Sequence, residues 1–248
     1  MKIDYNILAQ KYDLTRTANI NIINMFAEEI SLANKNILDF GCGTGNFAYA
    51  MKKLTASDIY GVEPSDGMRE KALQKGDIII KKGDHENIPF DDNFFDFIYM
   101  TDVIHHVPDL NAMFSEFYRI LKQDGCICIL TESHAQLETR FWVKYFPTTV
   151  EVEKKRYPDI PKIISAAKNA KIIHRKTVTT DKINNLPHII NITEDFVKLV
   201  ENKGYSMFDL IDEADYTNGL KYLREDYKNK IDLTDTHGET LLWLRKQK

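Results

Sequence analysis

The sequence lacks the features that mark a membrane or a secreted protein. No apolar run is long enough to span a bilayer, and the first residues lack the charged-then-apolar pattern of a signal peptide. The three cysteines, Cys42, Cys126 and Cys128, match no zinc-ligand spacing, and an odd count is typical of reduced thiols in a cytoplasm. We therefore expect a cytoplasmic protein with no membrane partner and no bound metal.

A surplus of positive charge is also missing. Lysine and arginine number 33 against 37 aspartates and glutamates, which gives a formal net charge of −4. Proteins that bind nucleic acid usually carry a basic surplus, so nucleic acid is not an expected partner. A length of 248 residues with 43% hydrophobic composition allows an ample core. We expect one domain over residues 1–248, as a monomer or a homodimer.

What the sequence does contain is a glycine-rich loop between a strand pattern and a helix pattern. Residues 36–40 are mostly apolar, Gly41, Gly43 and Gly45 follow, and an apolar helical run starts at Phe47. A dinucleotide fingerprint needs a further glycine where Asn46 stands, and the lysine of a P-loop is absent. The loop therefore indicates a ligand that carries an ammonium group and no phosphate, and not the dinucleotide or nucleotide phosphates that those two motifs bind. Taken alone, it is also compatible with a glycine-rich turn in any α/β protein.

The hydrophobic pattern alternates between strand and helix along the first half of the chain. Helices are predicted over 20–32, 45–54 and 109–122, and strands over 36–40, 57–62, 77–81, 94–100 and 126–131. Such alternation predicts a right-handed parallel sheet. Beyond it we predict a helix over 159–170, a strand over 171–179, mainly helical structure over 181–232 and a last strand over 239–245.

Acidic residues follow the second and third predicted strands. Glu63 comes about 20 residues after the loop, the spacing expected of an acid that accepts hydrogen bonds from ribose hydroxyls. Asp84 follows the third strand, and the segment from Asp102 to His106 follows the fourth. Together with the loop, these segments resemble the type 11, small-molecule branch of the class I S-adenosylmethionine (SAM) methyltransferases. The motifs cover residues 36–132, and the order of elements extends the resemblance over the chain.

The resemblance implies a fold and a reaction. The fold is an α/β, Rossmann-like, doubly wound sheet of seven strands, mostly parallel with an antiparallel last strand, and with helical cap inserts. The reaction is methyl transfer from SAM to an oxygen, nitrogen or carbon nucleophile of a small-molecule acceptor, with S-adenosylhomocysteine (SAH) as product. Alternatives are methylation of tRNA or rRNA, and SAM binding without turnover.

The resemblance also implies a cofactor site. Asp39 helps to neutralise the ammonium group, Glu63 binds the ribose, and Asp84 accepts from the adenine amine. The full set of implied cofactor residues is Tyr12, Asp39, Gly41, Cys42, Gly43, Glu63, Pro64, Met68, Asp84, His85, Thr101 and His106.

Candidates for catalysis and for the acceptor pocket come from other segments. His105 and His106 are the candidate bases, with His134 next, although lining the cofactor or packing is an alternative role for the pair. Residues 1–34, 133–170 and 181–232 are expected to wall the pocket, whereas 36–132 form the cofactor-binding core. The pocket candidates are Tyr5, Tyr12, Trp142 and Tyr145, while Phe141 and Phe146 are expected to pack the insert.

Overall fold

The computed structural model describes residues 18–181 and 186–247. Tyr5 and Tyr12, two of the predicted site residues, lie outside these ranges. The described residues divide into two compact units. The sheet unit comprises 18–131, 160–178 and 241–247, and the insert unit comprises 132–159, 179–181 and 186–240.

The described chain contains nine strands, nine α-helices and three 3₁₀ turns. The strands are β1 (Asn36–Phe40), β2 (Asp58–Val62), β3 (Ile79–Lys81), β4 (Phe95–Thr101), β5 (Leu121–Thr131), β6 (Ile172–Thr179), β7 (His188–Asn191), β8 (Asp232–Asp235) and β9 (Thr240–Lys246). The α-helices are α1 (Ile20–Glu29), α2 (Asn46–Leu54), α3 (Asp66–Leu73), α4 (Leu110–Ile120), α5 (His134–Leu137), α6 (Thr149–Arg156), α7 (Ile160–Asn169), α8 (Glu194–Glu201) and α9 (Glu213–Lys228). The 3₁₀ turns are Ile104–His106, Phe141–Lys144 and Ser206–Asp209.

Seven strands form one sheet in the order β3-β2-β1-β4-β5-β9-β6. The pairs from β3 to β5 are parallel. β9 runs antiparallel to these strands. The contact that shows this joins its end to the start of β5: Nζ of Lys246 donates to the carbonyl of Leu121 over 2.7 Å. The amide of Gln247 likewise donates to the carbonyl of Lys171, just before β6. The predicted mostly parallel, seven-stranded sheet with an antiparallel last strand is confirmed.

Helices cover both faces of this sheet, as its strand sequences require. Side chains of β4 alternate between two cores: Phe95 and Ile98 belong to one, and Phe97 and Tyr99 to the other. α4 packs five buried apolar residues into the first core, and α1 packs Ile22, Ile23 and Phe26 into the second. Burial on both faces explains why β4 is continuously apolar from Phe97 to Met100.

β1 is the strand at which the chain reverses its course through the sheet. It pairs with β2 on one side and with β4 on the other. In open α/β sheets, ligands bind outside the carboxyl ends of the strands at such a switch point. The fold therefore places the ligand crevice at the end of β1, where the glycine loop begins.

The insert unit differs from the sequence-based expectation in one respect. Residues 181–232 were predicted to be helical, but β7 pairs with β8 in an antiparallel two-stranded sheet. α8 and α9 account for the helical part of this segment. The two strands are four residues each and lie far apart in the sequence, so no local pattern reveals their pairing.

One predicted pocket element lies in the sheet unit. The helix expected over 159–170 is α7, whose Ile163, Ala166 and Ala167 are buried in the same core as α4. Among the described residues, no helix has both the length and the apolar character that crossing a membrane demands.

Candidate functional site

The loop between β1 and α2 is fixed to the end of β2. The amides of Gly41 and Cys42 both donate to the carbonyl of Val62, over 2.8 and 3.1 Å. Gly41, Gly43 and Gly45 have φ values of +73°, +54° and +79°. These left-handed conformations are ones that glycine adopts without steric cost, which explains why glycine recurs at alternate positions.

The space beside Gly41 is filled by protein. A Cβ built on Gly41 lies 2.5 Å from Cγ1 of Val103, in the segment after β4. Glycine in such a loop can also let the backbone approach a ligand closely. At Gly41 the glycine instead makes room for the Val103 side chain, so this position holds the loop against the end of β4.

Glu63 lies directly after β2, and its carboxylate binds the glycine loop. Its side chain is 7% exposed, and its two oxygens accept from the amides of Gly43, at 3.0 Å, and Ser65, at 2.8 Å. Burial raises the pKa of Glu63, and the two backbone hydrogen bonds and the charge of Arg69 oppose that shift. The Glu63 carboxylate is thus held in one orientation at the rim of the loop.

Asp39, near the end of β1, is a buried carboxyl with an unsatisfied oxygen. It is 2% exposed, and its Oδ2 has no hydrogen-bond partner within the described ranges. Burial raises the pKa of Asp39 to about 7; the nearby Tyr99 hydroxyl opposes the shift, and the charge of Glu63 adds to it. The Tyr99 hydroxyl is near enough to affect this pKa, yet it too makes no hydrogen bond of ordinary geometry in the described part of the chain.

Other predicted cofactor residues follow β2 and β3. Ser65 caps α3 by accepting from the amide of Met68 at 3.3 Å, and Met68 is buried whereas Pro64 is exposed. Asp84 is exposed, and its Oδ1 accepts from two backbone amides, those of residues 86 and 87. Oδ2 takes part in neither bond. His85 beside it is half-buried. Met68 is therefore a packing surface, and Asp84 presents a fixed carboxylate.

The candidate bases lie in the turn that follows β4. Thr101 ends the strand and is half-buried, and residues 104–106 form a 3₁₀ turn. The rings of His105 and His106 have centroids 3.9 Å apart; His105 is half-buried and His106 is exposed. His134, the third candidate, lies in the insert unit, where its Nε2 is 2.9 Å from the carbonyl oxygen of Tyr157.

The aromatic candidates for the acceptor pocket belong to the insert unit. Tyr145 is 5% exposed, and its hydroxyl donates to Asp226 at 2.8 Å. Trp142 is half-buried, stacks on Tyr205 at a centroid distance of 5.3 Å, and lies 5.4 Å from the Arg140 guanidinium. Phe146 is fully buried and packs on the rings of Phe208 and Tyr216, and Phe141 packs against the same apolar cluster.

The sequence analysis missed a network of buried charges in the insert unit. Arg140 donates from Nε to Glu132 at 2.8 Å, from Nη2 to the other oxygen of the same carboxylate, and from Nη1 to Glu153 at 3.0 Å. Arg156 donates to the second oxygen of Glu153 at 2.6 Å, and His237 Nε2 lies 3.0 Å from Glu132. These residue types are common and have no characteristic spacing in the sequence. The network is therefore visible only once the fold brings the charged groups together.

The network also sets the ionisation of its members. Burial tends to raise the pKa of Glu132, but hydrogen bonds and charge from His237 and Arg140 outweigh it and lower the pKa to about 2. The pKa of Arg140 is raised because the hydrogen bonds and charge of Glu132 outweigh the effect of burial. Glu132 is therefore ionised at neutral pH. In the described part of the chain, no group of histidine, cysteine and acidic side chains has the arrangement of a metal site.

Comparisons with known proteins agree with this geometry. The family model described as a methyltransferase domain matches residues 38–129. The chain is 32% identical over 96 residues to the sterol 24-C-methyltransferase of Aspergillus fumigatus, which is 36% of this chain and 26% of that protein. It is 33% identical over 106 residues to the demethylmenaquinone methyltransferase of Staphylococcus epidermidis, 40% of this chain and 44% of that protein. The chain thus spans less than half of the length of these relatives.

The whole fold is similar to a solved structure. A provisionally assigned methyltransferase from an antibiotic biosynthesis pathway of Anabaena variabilis aligns with a TM-score of 0.71 over 92% of this chain and 98% of that one. At 23% identity, this likeness concerns the fold alone. Residues 38–129 therefore form a methyltransferase domain of type 11, within the class I SAM-dependent family that the sequence resembles.

Proposed function

We propose that this chain transfers a methyl group from SAM to an oxygen, nitrogen or carbon nucleophile of a small-molecule acceptor, leaving SAH. The observation that carries the proposal is the fixed Glu63 carboxylate beside the glycine loop, at the point where the sheet reverses its strand order. This is the position at which open α/β sheets bind nucleotides.

The acceptor capacity of Glu63 fits the ribose of SAM. An ionised carboxylate has about four lone-pair positions, two on each oxygen. The amides of Gly43 and Ser65 occupy one on each oxygen, so one acceptor position remains on each. Two neighbouring ribose hydroxyls are two donors at matching spacing. Both backbone hydrogen bonds of Asp84 go to Oδ1, so Oδ2 is left as an acceptor for the exocyclic amine of adenine.

Asp39 fits the ammonium group of the methionine part. A buried carboxyl with an unsatisfied oxygen and a pKa of about 7 gains most from a nearby positive charge, because that charge favours the ionised form. The glycine loop presents backbone groups beside this carboxyl, in keeping with a ligand that carries its own positive charge.

The reaction demands little covalent chemistry from the protein. Bound SAM supplies a methyl group that its sulfonium already activates. The contribution of the chain is to hold the donor by Glu63, Asp39 and Asp84, to align the acceptor with the methyl–sulfur bond, and to exclude water. For an oxygen or nitrogen nucleophile, we propose that His106, the exposed member of the histidine pair, receives the proton, with His105 packed against it.

The acceptor is proposed as a small molecule because the relatives with similar cofactor domains are named for a sterol and for demethylmenaquinone. These two acceptors differ in chemistry, so the shared domain does not specify one. Trp142 remains our candidate for the pocket wall. Tyr145 is the weaker candidate, because its hydroxyl is bound to Asp226 and its side chain is almost fully buried.

Calorimetric titration with SAM, SAH and NAD tests the cofactor assignment. Glu63→Ala removes two charge-assisted hydrogen bonds of about 1.5–3 kcal/mol each, so the affinity for SAM should fall at least about a hundredfold. Asp84→Ala should cost less, since one amine contact is lost. Glu70→Ala, which removes an exposed glutamate of α3, is the matched control and should bind SAM as the wild type does.

Two results would contradict the proposal. Wild-type affinity for SAM in the folded Glu63→Ala variant would refute the ribose assignment, and tight NAD binding without SAM binding would refute the cofactor. Turnover is tested separately, by measuring SAH formation while metabolites are screened as acceptors. Binding of SAM with no SAH formed from any acceptor class would favour a binding protein.

A further inference from the structure

A second cavity lies at the opposite edge of the sheet from the glycine loop. Its volume is about 410 Å³, and it is built entirely from the sheet unit. Lys35 precedes β1, Asp96 and Phe97 begin β4, and Lys122 is near the start of β5. Parallel strands bring their amino ends to one edge, so the five residues of β1, at about 3.3 Å each, separate this cavity from the loop by roughly 17 Å.

The carboxylate at the base of this cavity is already neutralised. Asp96 Oδ2 accepts from the amide of Asn36 at 2.9 Å and from Lys122 Nζ at 2.8 Å. Lys35 Nζ lies 3.7 Å from the other oxygen. One carboxylate therefore serves two ammonium groups, and the pair of lysines leaves a positive charge at the cavity.

Arg245 adds a third cation to the lining of the cavity. It comes from β9, lines the cavity and is half-buried, and its guanidinium forms no hydrogen bond or ion pair with any residue that the structure describes. Of the other acids in the lining, Glu29 is bound by Lys176, and Asp124 is exposed. A half-buried guanidinium without a partner forgoes the hydrogen bonds that it makes best, those to a carboxylate or a phosphate.

We propose that this cavity binds a small molecule that carries a carboxylate or a phosphate, at a site separate from that of the methyl donor. The planar guanidinium of Arg245 binds the anionic group, and Lys35 and Lys122 add positive charge in the same cavity. Ile30 and Cys126 supply an apolar wall for the remainder of the ligand. The volume is within the range of roughly 300–1,000 Å³ that small-molecule sites occupy.

Three ring compounds of equal size test the proposal on the full-length protein. Benzoate carries a carboxylate, phenyl phosphate carries a phosphate, and benzamide is neutral; each is titrated at constant ionic strength while amide NMR shifts are followed. At least one of the two anions should shift the amides of Gly125 and Cys126 in a saturable way, and benzamide should not. Which anion binds more tightly distinguishes a carboxylate ligand from a phosphate ligand.

Two arginine variants separate a built site from diffuse charge attraction. Arg245→Gln should weaken the dissociation constant of the binding anion at least about tenfold, the loss expected for a charge-assisted contact. Arg175→Gln removes the same charge from an exposed position of β6 that does not line the cavity, and it should leave the affinity unchanged. An equal loss in both variants, or no loss in either, would overturn the proposal.

Cysteine labelling tests the site on the unaltered chain. Cys126 is half-buried in the cavity, whereas Cys42 and Cys128 are buried, so iodoacetamide should modify Cys126 first. The anion that binds should slow the modification of Cys126, and benzamide should have no effect. If neither anion shifts the amides or protects this thiol, the cavity is not an anion site. SAM binding is unaffected by this outcome, because the donor site lies at the other edge.

Discussion

The buried carboxyl of Asp39 predicts a pH dependence of stability that one substitution removes. Its pKa, ordinarily 3.8, is raised to about 7, chiefly by burial. An acid whose pKa is higher in the folded chain stabilises the fold fully below its unfolded pKa, and this contribution is lost as the pH rises through the folded pKa. A shift of about three units corresponds to about 4 kcal/mol in the free energy of unfolding.

Asp39→Asn keeps the shape of the side chain and removes the charge. The new amide also places a donor near the Tyr99 hydroxyl, which has no partner in the described chain. The variant should exceed the wild type in stability by about 2 kcal/mol at pH 5 and by about 4 kcal/mol at pH 8, with the difference level above pH 7. Comparing the two proteins at each pH cancels every other titrating group.

Urea unfolding of the protein without cofactor, at pH 5, 6, 7 and 8, measures this difference by linear extrapolation. Asp58→Asn is the control, because Asp58 is an exposed aspartate at the start of β2. Its stability difference from the wild type should stay within about 0.5 kcal/mol at every pH. A difference between Asp39→Asn and the wild type that does not change with pH would show that Asp39 ionises normally, and the reasoning would fail.

Two further substitutions test contacts that the structure shows. Gly41→Ala should cost about 2–4 kcal/mol of stability, because its φ of +73° is strained for alanine and its Cβ meets the side chain that follows β4. Gly76→Ala, at φ +74° with no atom within 4 Å, should cost only about 1–2 kcal/mol, and an equal cost in urea unfolding would refute the clash. Arg140→Ala should cost about 3–5 kcal/mol because it removes the guanidinium that two buried carboxylates share, whereas the exposed Arg224→Ala should cost less than about 1 kcal/mol by thermal unfolding. Since the pKa of Glu132 is lowered to about 2, its contribution to stability is present above its unfolded pKa and should disappear as the pH falls towards 2, whereas a flat profile there would contradict the ion pair.

The sheet was predictable because each of its strands and helices has a recognisable hydrophobic pattern within a short stretch of sequence. β4 is continuously apolar from Phe97 to Met100 because both faces are buried, and α4 carries its core residues at helical spacing. The glycine loop was predictable for the same reason, since strand, turn and helix follow each other within about a dozen residues. Glu63 was predicted as a site residue from its distance to that loop, and Asp84 from the resemblance to the family.

The reason that glycine is required at position 41 was not predictable from the sequence. Local pattern indicates a turn there, but the Val103 side chain that fills the space comes from the segment after β4. The unsatisfied oxygen of Asp39 is a similar case, because its environment includes Tyr99 from the neighbouring strand.

The sequence by itself determined the α/β class and the strand, glycine loop and helix that begin the sheet, because these depend on periodicity and on short fixed spacings. Its motifs also carried the resemblance to the family. Tertiary structure alone decided the pairing of β7 with β8, the buried charge network of Arg140 and the position of the Arg245 guanidinium in the second cavity. Each of these depends on which distant segments meet. A charged side chain has the same identity in the sequence whether it is solvated, paired or buried alone, and only folding assigns it one of these states.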